Sequence, residues 1–117
     1  KVMVNDEIIE DFKKNGNKSS YFFADLMNFY SKFYRKLCET NESPLHDPCV
    51  IAYLIDPSLF QGKFVNVEVE KDSFLTRGET VVDWLGVTKR KPNCTVITKV
   101  DHKSFFSLLK KELKLLN

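Results

Sequence analysis

The stretch Pro44-Leu45-His46-Asp47-Pro48-Cys49-Val50-Ile51-Ala52-Tyr53-Leu54-Ile55-Asp56-Pro57 constrains this chain more than any other. Asp followed by Pro is a helix-start signal: Asp47 can accept bonds from open backbone N–H groups, and Pro48 suits the first helical position. From Cys49 to Ile55 there is no polar face, and a helix that is apolar all round is expected to be buried on every side. Asp56-Pro57 then ends the segment. His46 and Asp47 are thereby placed where a loop meets a buried helix, a common position for a reactive group.

With 117 residues, 43% of them hydrophobic, the chain is long enough for one domain around one core. Its net charge of +2 is too small to suggest a nucleic-acid binder. The mild basic bias of Lys89-Arg90-Lys91 and of the Lys110–Lys114 tail reads as solvated surface. No stretch approaches the roughly eighteen apolar residues of a membrane span. No apolar run follows a basic start, so no secretory leader is expected. Cys38, Cys49 and Cys94 are widely spaced and odd in number. They fit neither a disulfide framework nor a metal knuckle, which points to a reduced intracellular protein. With the charge and hydropathy above, a cytoplasmic protein with neither nucleic-acid nor membrane partners is expected.

Asn5 to Lys14 reads as a short helix with its acids first and its lysines last, as the helix dipole prefers, and Asn15-Gly16-Asn17 ends it. Ser19 or Ser20 opens the longest helix, which runs to about Cys38. Leu26, Tyr30, Phe33, Tyr34 and Leu37 recur there at spacings of three and four, a single stripe expected to face the core. Thr40 to Pro44 is a polar loop. Lys63 to Glu70 alternates, with Val65, Val67 and Val69 on one side, as a half-buried strand does. Further strands are expected at Thr80–Trp84 and Cys94–Val100. Asp101 caps a last helix striped by Phe105, Leu108, Leu109, Leu113 and Leu116. The outline is three helices, mostly antiparallel strands, then a final helix, with no repeat and no low-complexity segment.

Gly-rich phosphate loops, HExxH, GxSxG and CxxC are all absent from the sequence. Adjacent His46 and Asp47 form the one compact polar pair. On residue type alone Asp47 serves either as a helix cap or as a metal ligand, and His46 as a loop histidine or a general acid. Tyr30 and Tyr34, four apart, stack along one helix face. They are either core aromatics or a platform for a planar ligand. His102 has no partner in sequence and reads as surface.

Residues His46 to Pro57 resemble the C-terminal signature of the inosine–uridine-type nucleoside hydrolases. Phe29-Tyr30-Ser31-Lys32-Phe33-Tyr34 resembles the aromatic helix that precedes it in that family. Val65–Glu70, Leu75–Asp83 and Val100–Phe106 resemble the family's later strands and final helix in the same order. The resemblance covers essentially the whole chain and implies an α/β fold, of which this chain would be the C-terminal part. It also implies hydrolysis of the N-glycosidic bond of inosine- or uridine-type ribonucleosides to ribose and free base, as in purine salvage, by a homodimer or homotetramer. The family's Ca²⁺ is held by an aspartate cluster of DxDxxxDD type, and Asp47 matches one further aspartate ligand. There the ion activates the attacking water. His46 matches the histidine that protonates or polarises the departing base, and Tyr30 and Tyr34 match aromatics on the base side of the pocket.

No DxDxxxDD cluster occurs in the sequence. Calcium takes about six to eight oxygens, so Asp47 alone cannot hold it usefully. The resemblance therefore implies the last part of a longer enzyme, inactive without the missing N-terminal part and exposing the face that packs on it. The alternative is a non-enzymatic binding or structural module on the same scaffold. In that case Asp47 would serve only as a cap.

Overall fold

The computed structural model describes residues 2–116. The chain divides into two compact units, one formed by everything up to Leu59 together with the segment from Val100 on, the other by Phe60–Lys99. In chain order the described elements are β1 (Met3–Val4), α1 (Asp6–Lys13), α2 (Lys18–Cys38), β2 (Ser43–Pro44), α3 (Asp47–Ile55), a 3₁₀ turn (Pro57–Leu59), β3 (Phe60–Val69), β4 (Thr80–Asp83), β5 (Cys94–Val100) and α4 (His102–Leu115). Mixed helices and antiparallel sheets were expected, and both are present.

Capping sets the helix boundaries. The Asn5 side chain accepts a bond from the Ile8 N–H at the start of α1, and the Asp101 carboxylate accepts from Ser104 N–H and Oγ at the start of α4. α2 begins earlier than Ser19 or Ser20, because Asn17 is its cap and accepts from the Ser20 N–H. Between α1 and α2 the chain turns through Gly16 at φ 75°, a left-handed conformation that suits glycine.

The helical unit is closed where α1, α2 and α4 converge. Phe12 and Phe105 are buried, and Phe12 packs against Phe23 at 4.7 Å and Phe106 at 6.3 Å between ring centres. Asparagines of the α1–α2 turn fasten the end of α4. Asn15 Nδ2 donates to the Lys110 carbonyl at 2.9 Å, and Asn17 Nδ2 donates to the carbonyls of Leu113 and Leu116. These acceptors lie in the last turns and at the C-cap of α4, and the Leu113 carbonyl also accepts from the Leu116 N–H at 3.3 Å, so the amides reinforce the helix end. Ion pairs Arg35–Asp6 and Lys110–Asp11, each 2.7 Å, link α1 to α2 and α4.

Two expectations about burial are corrected. α2 buries Ser20, Ala24, Met27 and Ser31, whereas Leu26, Phe33 and Leu37 of the expected core stripe are exposed together with Phe22 and Phe29. Small residues let a neighbouring element approach the α2 backbone closely, so the bulkier stripe lies on the other side. α3 was expected to be buried all round, but only Ala52 is; Val50, Ile51, Tyr53, Leu54 and Ile55 are exposed.

β1 and β2 form a short antiparallel ladder in which Met3 pairs with Pro44 and Val4 with Ser43. The Leu45 N–H extends it by donating to the Val2 carbonyl at 3.0 Å. Part of the stretch read as a polar loop is thus strand.

In the second unit β3 lies between β4 and β5. β3 and β4 are antiparallel, with Asn66 opposite Asp83 and Val69 opposite Thr80. Val65 is buried as expected, but so is Asn66, whose amide donates to the Lys91 carbonyl at 3.0 Å. Val69 is exposed. The Asn93 side chain bonds both the N–H and the C=O of Val67, at 2.8 and 2.9 Å, so it continues the ladder beyond β5. Gly62 is required where β3 and β5 approach: a Cβ there would lie 2.7 Å from the Thr95 methyl and 3.0 Å from the Val96 carbonyl oxygen.

Candidate active site

His46 is the cap residue of α3 and Asp47 its first helical residue, with Pro48 in the first turn. No side chain caps this helix, so Asp47 is not the cap that Asp-Pro suggests. The Cys49 N–H closes on the His46 carbonyl at 2.9 Å, and Cys49 Sγ donates to the Leu45 carbonyl at 3.4 Å. Partial burial pushes the Cys49 thiol above its ordinary range. His46 and Asp47 are both exposed.

A cavity of about 390 Å³ opens beside them. Its wall on α2 is Phe23, Leu26, Met27 and Tyr30, and its other wall is Pro44 to Pro48. It therefore brings Tyr30, from the middle of α2, together with the adjacent His46 and Asp47. The lining is mostly apolar and ends in an imidazole and a carboxylate, the usual balance for a small-molecule site. Tyr34 is not part of this lining. Its ring lies 6.1 Å from that of Tyr30, tilted by 33°, and a hydrogen bond with Cys38 pushes its phenol above the ordinary range.

Asp47 also borders a second, almost wholly apolar cavity of about 400 Å³ between α3 and α4, with Ile51, Ile55, Phe105 and Leu108 in its wall. Sequence reasoning did not anticipate Phe23 and Met27 as site residues. Their spacing from Tyr30, seven and three residues, places them on one helix face and was the available signal.

Calcium does not fit the donors present. Among the described residues no group of three or more His, Cys, Asp or Glu could hold a metal ion. Asp47 offers one carboxylate, against the about six to eight oxygens that calcium takes.

The sequence model described as "Inosine-uridine preferring nucleoside hydrolase" matches residues 1–107. The chain belongs to this family. Among curated relatives it is 39% identical over 115 residues to the pyrimidine-specific ribonucleoside hydrolase RihA of Shigella flexneri serotype 5b, a match covering 97% of this chain and 37% of the relative. The match to the same enzyme of Citrobacter koseri is 37% over 114 residues and covers 36% of it. The chain thus spans about a third of the length of these nucleoside hydrolases. Among solved structures, a plant nucleoside hydrolase superposes with a TM-score of 0.78 at 27% identity, covering 97% of this chain and 37% of that one. A purine-preferring ribonucleoside hydrolase from Gardnerella vaginalis gives 0.79 over 98% of this chain and 36% of that one, at 24% identity, a likeness of fold. The α/β fold is that of the nucleoside hydrolases, and the family's relatives are enzymes.

Proposed function

We propose that this chain supplies the base-facing part of a calcium-dependent nucleoside N-ribohydrolase. The observation that carries the reading is the single cavity shared by Tyr30, His46 and Asp47. In the reaction, water adds its hydroxyl to the anomeric carbon, the C–N bond breaks, and the base departs with a proton. A base leaving as a bare anion would be a poor leaving group, so a proton donor beside it lowers the barrier. His46, exposed at the cavity rim, is that donor. Tyr30 offers its face to the planar base, and Tyr34 extends this aromatic surface at the cavity's edge. The carboxylate of Asp47, not used as a helix cap, would serve as one calcium ligand only together with oxygen donors from outside these residues, and the ion would then supply activation of the attacking water.

The exposed apolar faces of α2 and α3 support this reading as the surface that takes up the rest of such a domain. Phe22, Leu26, Phe29, Phe33 and Leu37 follow one another at helical spacing along the exposed face of α2, and α3 exposes Ile51, Leu54 and Ile55. A helix apolar on opposite faces suits an interior position. The chain by itself is inactive, and the complete cytoplasmic enzyme is a homodimer or homotetramer.

The test combines this chain with the remaining two thirds of a related nucleoside hydrolase and measures ribose release from inosine and uridine with added Ca²⁺. Activity is expected only from the combination. His46→Ala should lower it about 10²–10⁴-fold, the usual weight of a positioned acid. Asp47→Ala should abolish turnover, with part of it returning only at much higher Ca²⁺. Activity from the 117 residues alone, or full activity in His46→Ala, would overturn the reading.

A further inference from the structure

Immediately after Tyr30 on α2, the Ser31 hydroxyl lies 2.6 Å from that of Ser43, which precedes Pro44-Leu45-His46. Both serines are buried, Ser31 at 2% and Ser43 at 0% exposure, beside the buried Val2, Val4 and Leu45. A hydroxyl taken into such surroundings is unfavourable unless bonded, and here each serine is the other's partner. The apolar neighbours and the β1–β2 ladder already hold this segment to the unit. Apolar packing is non-directional, whereas a short O–H···O bond fixes distance and angle. The bond ties the residue beside Tyr30 to the strand that presents His46 and Asp47.

We propose that Ser31 and Ser43 are positioning residues: their buried hydroxyl pair sets the spacing of Tyr30 from His46 and Asp47 across the cavity. This rests on reading those three residues as one site. Neither serine is in the cavity lining. They act through the register of β2 and of the turn into α3.

The experiment is NMR of the full 117-residue chain, in which the imidazole signals come from His46 and His102 alone. His102 opens α4 and serves as the internal reference. Ser31→Ala or Ser43→Ala should shift the His46 resonances and lower Tm, leaving those of His102 in place. Each single change leaves one orphaned hydroxyl, whereas the double change S31A/S43A leaves none, so its Tm should recover. If the pair positions the site, the His46 signals of the double variant stay displaced although Tm has returned.

Three results would overturn the proposal. His46 signals could remain at their original positions in every folded variant. Double substitution could restore His46 together with Tm, which makes the pair ordinary packing. All alanine variants could unfold, with both histidines at random-coil positions, which makes the bond a requirement of folding. The signal shift needs no turnover, so it separates this proposal from the catalytic reading, which stands or falls with ribose release in His46→Ala.

Discussion

At the junction of α1 and α4, aromatic side chains are covered from several directions, carbonyls at the helix end find asparagine amides, and charges pair across helices. Along the outer face of α2 and over α3, side chains of the same chemical kinds lie open. Phe12 is 2% exposed and Phe33 is 67% exposed. The two regions share side chains of the same kinds; they differ in how much of that apolar surface other elements of this chain cover. A stripe such as Phe22-Leu26-Phe29-Phe33-Leu37 carries the pattern of a core face, and periodicity reports only that a face is apolar. Which other segment covers it is a separate matter. The cavity with His46 has one wall on α2 and the other on the segment from Pro44 to Pro48.

The largest expected contrast comes from truncating one aromatic in each region. Phe12→Ala removes a ring packed between α1, α2 and α4 and should cost about 3–5 kcal/mol in urea denaturation. Phe33→Ala should change stability by less than about 0.5 kcal/mol, because an exposed ring loses little on truncation. Combined with the remaining part of a nucleoside hydrolase, Phe33→Ala should weaken association, while the isolated chain stays unaffected. Equal destabilisation by the two substitutions in the isolated chain would erase the distinction between the regions.

A smaller effect is expected at the asparagine fastening. Asn17 both caps α2 and holds two carbonyls at the end of α4. Asn17→Ala should cost about 1–2 kcal/mol and increase amide exchange in the last turn of α4 as well as the first turn of α2. Exchange that rises in α2 alone would reduce Asn17 to a simple cap.

Much of the fold was legible because its signals are local. Asn-Asp-Glu before an apolar run, Asp101 before Phe105, and valines alternating from Val65 each specify an element within a few residues. Asn17 was overlooked as the α2 cap because Ser19 and Ser20 offered competing cap chemistry two and three residues later. β1 and β2 span two residues each, too short for any periodicity, and their pairing joins positions about forty residues apart in the chain. Burial of α3 was misread for the same reason as that of α2. The sequence shows a face that avoids water, and only tertiary context shows what covers it. At the site, His46 and Asp47 were legible from the helix-start pattern and the family resemblance. Their meeting with Tyr30 depends on the Val2-to-Leu45 ladder, a long-range feature. Asp47 illustrates the limit of local reasoning: Asp-Pro suggested a cap, yet the helix begins one residue earlier and its cap is His46.

Acid titration should give the smallest effect and separates the two regions by their charges. Asp6 is held below the ordinary carboxylate range by its bond to Arg35, and Asp11 by bonds to Lys110 and then Lys14. Asp101 is held down by the Ser104 hydroxyl and N–H. A carboxylate depressed in the folded state binds its proton more readily when unfolded. Its contribution is therefore complete above the unfolded value of about 4 and is lost as pH falls through the lower folded value. These groups are solvent-exposed, so screening keeps each contribution small. The urea midpoint should be flat from about pH 5 to 7 as far as these groups are concerned, and should decline progressively below about pH 4. Asp11→Asn should reduce the decline, and added salt should do the same through the Asp6–Arg35 and Asp11–Lys110 pairs. Stability that rises on acidification would show that the ion pairs around α1 do not hold the closed region together, leaving its aromatic core as the sole basis of the contrast with α3.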